Sequence, residues 1–473
     1  MPGSPMALDG PHRTGFSVLS AWWATLGAPM LFGRSPTPGS EAGSLPRSAE
    51  PGRRVDGAGT EVGFGAYLGQ FDSYRVVACL AVLLQHSLLW TVQPGNVIAW
   101  ALVMLLHFSR TAFFFLTALV LTYAEITRPS TTWGFWRRRY VQLGVPFLTW
   151  TGIYWVFTLL TVTGAPTHAG SLLWHDVVFG YYQLYFAVVI LQLYVVFPLV
   201  LRLLRRSRHH LVVMAVSLGF ALVLAADLHY PNAFGPVGDA TRWLAARWPW
   251  SRDPVTYQEQ FVAGVLVALH FDQVRRFVER WCRPIVGGAL AAGVAATLWY
   301  LVAVWTGSDT GRASDLYQPI AFVWFTAAVA GLEAATWWWF RRAPARRGRW
   351  PSALSAPALA DLTGGIYLCH VLFINLVRSA LDDSGAAAHL GWAGTVAATL
   401  VLTVVTACAF TALVQRTPLR WVLAGPVRPE QRQRLDQLAG LAPAPAPAAV
   451  AVAAGHESLG ASDGTDGRRA YQA

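Results

Sequence analysis

The chain has 473 residues, of which 54% are apolar and 13% charged, and its formal net charge is +11. An average soluble domain is roughly 25% charged. That deficit, with repeated apolar runs of about 20 residues, excludes an ordinary soluble class and predicts an all-α, polytopic bundle of transmembrane helices. The basic excess, all of it arginine, collects in a subset of loops, as in membrane proteins, and calls for no nucleic-acid partner.

Residues 1–65 are rich in Gly, Pro and Ser and read as a disordered N-terminal extension. Within them the stretch 15–33 is mildly apolar but interrupted by Gly and Pro, with no evident cleavage site, and reads as unstructured or interfacial. A membrane domain follows over 66–424, with about ten spans at 72–91, 97–124, 142–163, 182–201, 211–230, 256–271, 284–306, 317–340, 359–380 and 392–415. The sixth is short. The second is interrupted by His107-Phe108-Ser109-Arg110, which predicts a broken or re-entrant helix. Residues 425–473 read as a disordered tail.

The first span, 71–90, is the one around which the others should pack. It carries Asp72, Arg75 and His86 in an otherwise almost wholly apolar run. Arg75 and His86 are eleven residues apart, which at ~100° and ~1.5 Å per residue is three turns plus ~20°, or roughly 16 Å along one face. Asp72 shares that face. Ionisable groups in lipid cost several kcal/mol each, so this edge must face protein or a wet cavity. There His86 is a candidate general base, against the alternative of a core histidine bonded to a neighbouring helix. Arg110 reads either as a structural ion pair at a helix break or as an anion ligand, with His107 one turn away on the same face. Arg137, Arg138 and Arg139 open the third span, either as a positive-inside anchor or as a dock for phosphates. Tyr182, Gln183 and Tyr185 fit an interfacial belt. Tyr367 and His370 stand at i and i+3 after Gly364-Gly365, a small pair suited to close helix packing, and His370 reads mainly as a structural hydrogen-bonding residue.

Cys79, Cys282, Cys369 and Cys408 are scattered and read as small buried hydrophobes rather than a disulfide or metal site. P-loop, HExxH and CxxC patterns do not occur, and the GxSxG match at 460–464 lies in the Gly-rich tail and is no nucleophile elbow, so ATP-driven transport, hydrolase-elbow chemistry and a zinc centre lack support. The connections after spans 2, 4, 6 and 8 hold seventeen arginines and the opposite ones five. This predicts that both termini and the arginine-rich loops are cytoplasmic.

At these residues the sequence resembles the acyltransferase-3 family of multi-spanning membrane acyltransferases. The first helix of that family carries an Arg, ten intervening residues and a His, here Arg75 and His86. Its second carries a Phe-Phe-x-x-Ser-Gly segment, here Phe113-Phe114-Phe115-Leu116-Thr117-Ala118, in which Thr117 keeps a hydroxyl and Ala118 departs from Gly. Its third opens with arginines and later has a Pro, here Arg137 to Arg139 and Pro146. The aromatic cluster of its fourth is loosely matched by residues 181–186. A late Tyr-Leu-x-His is Tyr367-Leu368-Cys369-His370. The resemblance spans roughly 70–420. It implies transfer of an acyl group, often acetyl, from cytoplasmic acyl-CoA to a hydroxyl of an envelope glycan, a lipid-linked sugar or a secondary metabolite, with no bound cofactor. It also implies that His86 is the catalytic histidine, as base or transient acyl carrier, and Arg75 its essential companion. A multi-pass transporter is the competing class; it leads one to expect inverted repeats, and none is visible in the sequence.

Overall fold

In the computed structural model the described residues are 64–161, 168–230, 233–342 and 356–425. Almost all of the expected N-terminal extension and C-terminal tail therefore lies outside the described residues.

Helix α1 (Phe64–Thr91) is the axis of the assembly. It has neither Pro nor Gly after Gly69, and its leucine-rich sequence suits a long span. Phe71, Tyr74, Ala78, Cys79, Leu83 and Leu88 are buried, while Val77 and Leu80 on the opposite face are exposed, as expected of a span with one side to lipid. The chain continues as α2 (Val97–Leu106), α3 (Phe108–Thr127), α4 (Thr132–Thr161), α5 (Ala169–Phe179), α6 (Tyr185–Arg206), α7 (His210–His229) and α8 (Pro236–Ala245). Then come α9 (Gln258–Leu269), α10 (Phe271–Trp305), α11 (Thr310–Ala313), α12 (Pro319–Arg342), α13 (Ala356–Asp383), α14 (Ala386–Gln415) and α15 (Arg420–Leu423). Short 3-10 turns at Tyr182–Leu184, Trp250–Arg252 and Pro254–Tyr257 complete the order. Regular structure among the described residues is helical throughout, and α1 packs against α2, α3, α12, α13 and α14.

Nine stretches among the described residues are long and apolar enough to cross a membrane. The expected sixth span is the exception. Helix α9 has 12 residues, so at ~1.5 Å each it is roughly 18 Å long, short of a ~30 Å hydrocarbon core. It begins with Gln258, Glu259 and Gln260, of which the last two are buried, so this polar start is enclosed by protein. Backbone that stops at membrane depth is tolerated only in such a setting.

The second span is broken where the sequence predicts. Helix α2 ends at Leu106 and α3 begins at Phe108. The carbonyls around the break are met by side chains: His107 Nδ1 lies 2.7 Å from the Val103 oxygen, Ser109 Oγ donates to Leu106 and Thr111 Oγ1 to Phe108. Polar residues near a helix break restore the freed backbone bonds in this way. The predicted starts at 284 and 392 also fall beside irregularities. Helix α10 breaks at Trp281, just before Pro284, and α14 breaks at Gly391, whose φ of 63° belongs to glycine.

Candidate active site

A cavity of about 480 Å³ opens along α1. From that helix it is lined by Arg75, Cys79, Val82, Leu83, Gln85, His86 and Leu89, a stripe at spacings of three and four that follows one face over about four turns. Arg75 therefore lies toward one end and His86 toward the other, roughly 16 Å away by helix rise. Thr363 and Gly364 of α13 also line it, as do Ser251, Arg252, Leu316 and Tyr182, the last packed on the His86 ring. His107 and Arg110 line it from the α2–α3 break. No Asp or Glu does so among the described residues.

His86 is fixed by a second histidine. Its Nδ1 lies 2.9 Å from Nε2 of His370 on the neighbouring α13, and the two rings stack with centroids 5.0 Å apart. His370 is fully buried, and its own Nδ1 is 3.1 Å from the Ile366 carbonyl and 2.8 Å from that of Tyr367. Carbonyl oxygens only accept, so the hydrogen bond network assigns the hydrogen to His370 Nδ1. Neutral His370 can then only accept at Nε2, and His86 Nδ1–H donates to it. The unshared pair of neutral His86 is thereby left on Nε2, which makes no hydrogen bond among the described residues. The ring is also braced edge-on by Tyr182, with centroids 5.4 Å apart, and by Trp90, whose Nε1 donates to Asn375. A histidine held in one tautomer, with its free nitrogen beside a cavity, has the geometry of a general base.

The other residues singled out in the sequence divide. Arg75 lines the cavity, with Asp72 4.0 Å away. Arg110 lines it with its Nη1 3.5 Å from the Tyr185 hydroxyl and its guanidinium 5.2 Å from the Tyr257 ring. It has no carboxylate within 4 Å among the described residues, so the structure gives it no ion pair. Tyr367 also lines the cavity, but its hydroxyl is committed to backbone, donating to the Gln183 carbonyl at 2.8 Å and accepting from Ala187 N. Thr117 is half-buried and not on the cavity wall. Arg137, Arg138 and Arg139 sit in the second turn of α4, away from the cavity. Arg138 is held by Glu125 at 3.2 Å and by Ser130.

Sequence reasoning passed over Gln85, Ser251 and Arg252 as cavity-lining residues. Tyr182, Gln183 and Tyr185, which fit a lipid-facing belt, all contribute to the cavity wall instead. Arg252 stands in a short 3-10 turn between α8 and α9, where its Nε donates to the Phe179 carbonyl and its Nη1 to Ser251. A cation in an arginine-poor connection was the available signal.

A bundle of apolar helices around a histidine-bearing cavity defines a class of polytopic membrane protein with an internal pocket. The family model of the acyltransferase-3 domain, described as an acyltransferase domain, matches residues 68–413, and the chain belongs to that family. It is a multi-pass membrane acyltransferase. No curated protein and no solved structure matches the chain.

Proposed function

We propose that the protein moves an acyl group, acetyl foremost, from cytoplasmic acyl-CoA to a hydroxyl of an envelope glycan, a lipid-linked sugar or a secondary metabolite, in the cell membrane and with both termini cytoplasmic. The His86–His370 pair beside the cavity carries this reading. The acceptor oxygen attacks the thioester carbonyl while its proton passes to His86 Nε2. The C–S bond then breaks, and the departing CoA sulfur takes that proton from His86. Arg75 stands at the end of the cavity that the arginine bias assigns to the cytoplasm and presents its guanidinium to the donor, its charge balanced in part by Asp72. Arg137, which makes no hydrogen bond or ion pair among the described residues, takes the donor's phosphates, with Arg138 and Arg139 beside it adding positive charge.

The deciding experiment follows label from acetyl-CoA into envelope glycan and metabolite fractions, with activity normalised to folded protein by size exclusion in detergent. His86→Ala should fold and insert but lose ~10²–10⁴ in rate, the usual contribution of a general base. Near-full transfer per folded molecule would overturn the mechanism.

A further inference from the structure

The mechanism above uses one cavity arginine, Arg75, at the donor end. Two more, Arg110 and Arg252, line the same cavity, Arg110 from the α2–α3 break and Arg252 from the connection between α8 and α9 that the arginine bias puts outside. They flank one phenol: Arg110 Nη1 reaches the Tyr185 hydroxyl at 3.5 Å, and the Arg252 guanidinium lies 6.0 Å from the Tyr185 ring. Neither is neutralised directly. Two acids stand in the neighbourhood, but Asp315 is held by His229 at 3.0 Å and Asp176 by His175 at 3.3 Å. No carboxylate comes within 4 Å of either guanidinium among the described residues. Arg110 Nε is buried without a hydrogen-bond partner, and the Nη2 groups of both arginines make no hydrogen bond among the described residues. Uncompensated cations at membrane depth are costly and mark ligand pathways, and a guanidinium fork matches carboxylate or phosphate.

We infer that Arg110 and Arg252 form an anion subsite for the acceptor, so that the substrate class is a hydroxyl compound bearing a carboxylate or phosphate near the hydroxyl that is acylated. This rests on the acyl-transfer reading for the direction of the cavity: the donor enters at Arg75, and an anion at Arg252 belongs to whatever approaches His86 from the other side. Tyr185 between the two cations supplies a neutral donor to the same group, and the apolar wall of Leu89 and Phe186 beside it suits a carbon skeleton.

The test is a binding measurement, independent of turnover. Thermal unfolding of the purified full-length protein in neutral detergent and low chloride is followed while glucose, glucuronate, glucose 1-phosphate or acetyl-CoA is added. Glucuronate or glucose 1-phosphate should raise Tm saturably, and glucose should not. Arg252→Gln, chosen because this side chain is only half-buried, should weaken the anionic sugar about 10- to 100-fold, the usual effect of losing a charged hydrogen-bond donor, and leave acetyl-CoA stabilisation unchanged. Arg110→Gln should act in the same direction. Equal responses to glucose and its anionic counterparts would overturn the subsite, as would unaltered binding in Arg252→Gln. Loss of the acetyl-CoA response instead would assign the two cations to the donor's phosphates and overturn the acceptor assignment. Failure of the catalytic mechanism would show in His86→Ala activity and leave these binding curves untouched.

Discussion

At the scale of single residues, the pairing of His86 with His370 changes what a substitution at 370 should do. A buried histidine on a late helix reads in the sequence as a structural hydrogen bond. The fold places its Nε2 2.9 Å from His86 and its Nδ1 on two carbonyls, so it sets which nitrogen of His86 is free. His370 is a positioning residue: it does not line the cavity, and it acts through the imidazole that does. We predict that His370→Ala lowers turnover about 10-fold or more while the donor KM holds, because both tautomers of His86 become accessible. His370→Gln should recover part of that loss, since its amide oxygen can accept from His86 Nδ1 and its NH₂ can donate to the carbonyls. A purely structural residue would lower stability in both variants and leave turnover per folded molecule alike. Steady-state kinetics alongside melting curves separate the two.

At the scale of helices, close approach decides which small residues matter. Helix α9 packs against α3 at Gly264, where an added Cβ would collide with the Phe115 carbonyl oxygen and lie 2.8 Å from the Cβ of Ala118. Ala118 is the position where the sequence departs from the glycine of its family. The small partner at this crossing is supplied by the other helix, so the departure leaves the packing tight. Gly264→Ala should destabilise by ~1–3 kcal/mol, the usual cost of overpacking, read as a lower Tm in detergent. Gly287→Ala in α10 is the control, for its added Cβ meets nothing within 4 Å, and it should melt no lower than the parent. The Gly364-Gly365 pair serves two ends: Gly365 packs against Thr411 of α14, while Gly364 opens onto the cavity.

At the scale of the whole molecule, orientation determines which end of the cavity meets the donor. The seventeen-to-five arginine bias assigns the connections at Ser207 and Ala345 to the cytoplasm and those at Pro94 and Ser308 to the outside. The latter two connections meet in the fold, where Gly95 N donates to Thr310 Oγ1 at 3.1 Å, so they lie at the same end of the bundle. Single cysteines at Pro94 and Ser308 in a background lacking the four native cysteines should react with an impermeant maleimide on intact cells. Those at Ser207 and Ala345 should react only after permeabilisation. The opposite pattern would reverse the cavity and put the donor at the Arg252 end.

The sequence by itself determined the helical class, most of the spans, the break at His107, and the stripe from Arg75 to His86. Each is a local matter of apolar length, polar interruption or helical spacing, and a period of 3.6 residues fixes a shared face without reference to any other helix. Hydropathy in a short window does not distinguish a short inserted helix such as α9 from a crossing, so the expected span at 256–271 is not among the nine stretches long enough to cross among the described residues. Only the tertiary structure brought His370 to His86 across 284 positions, Arg252 to Tyr185, and Tyr182 from the lipid belt to the cavity wall. Those contacts depend on which helices become neighbours and on their relative rotation. That is decided by packing over the whole bundle, and no spacing along one segment encodes it.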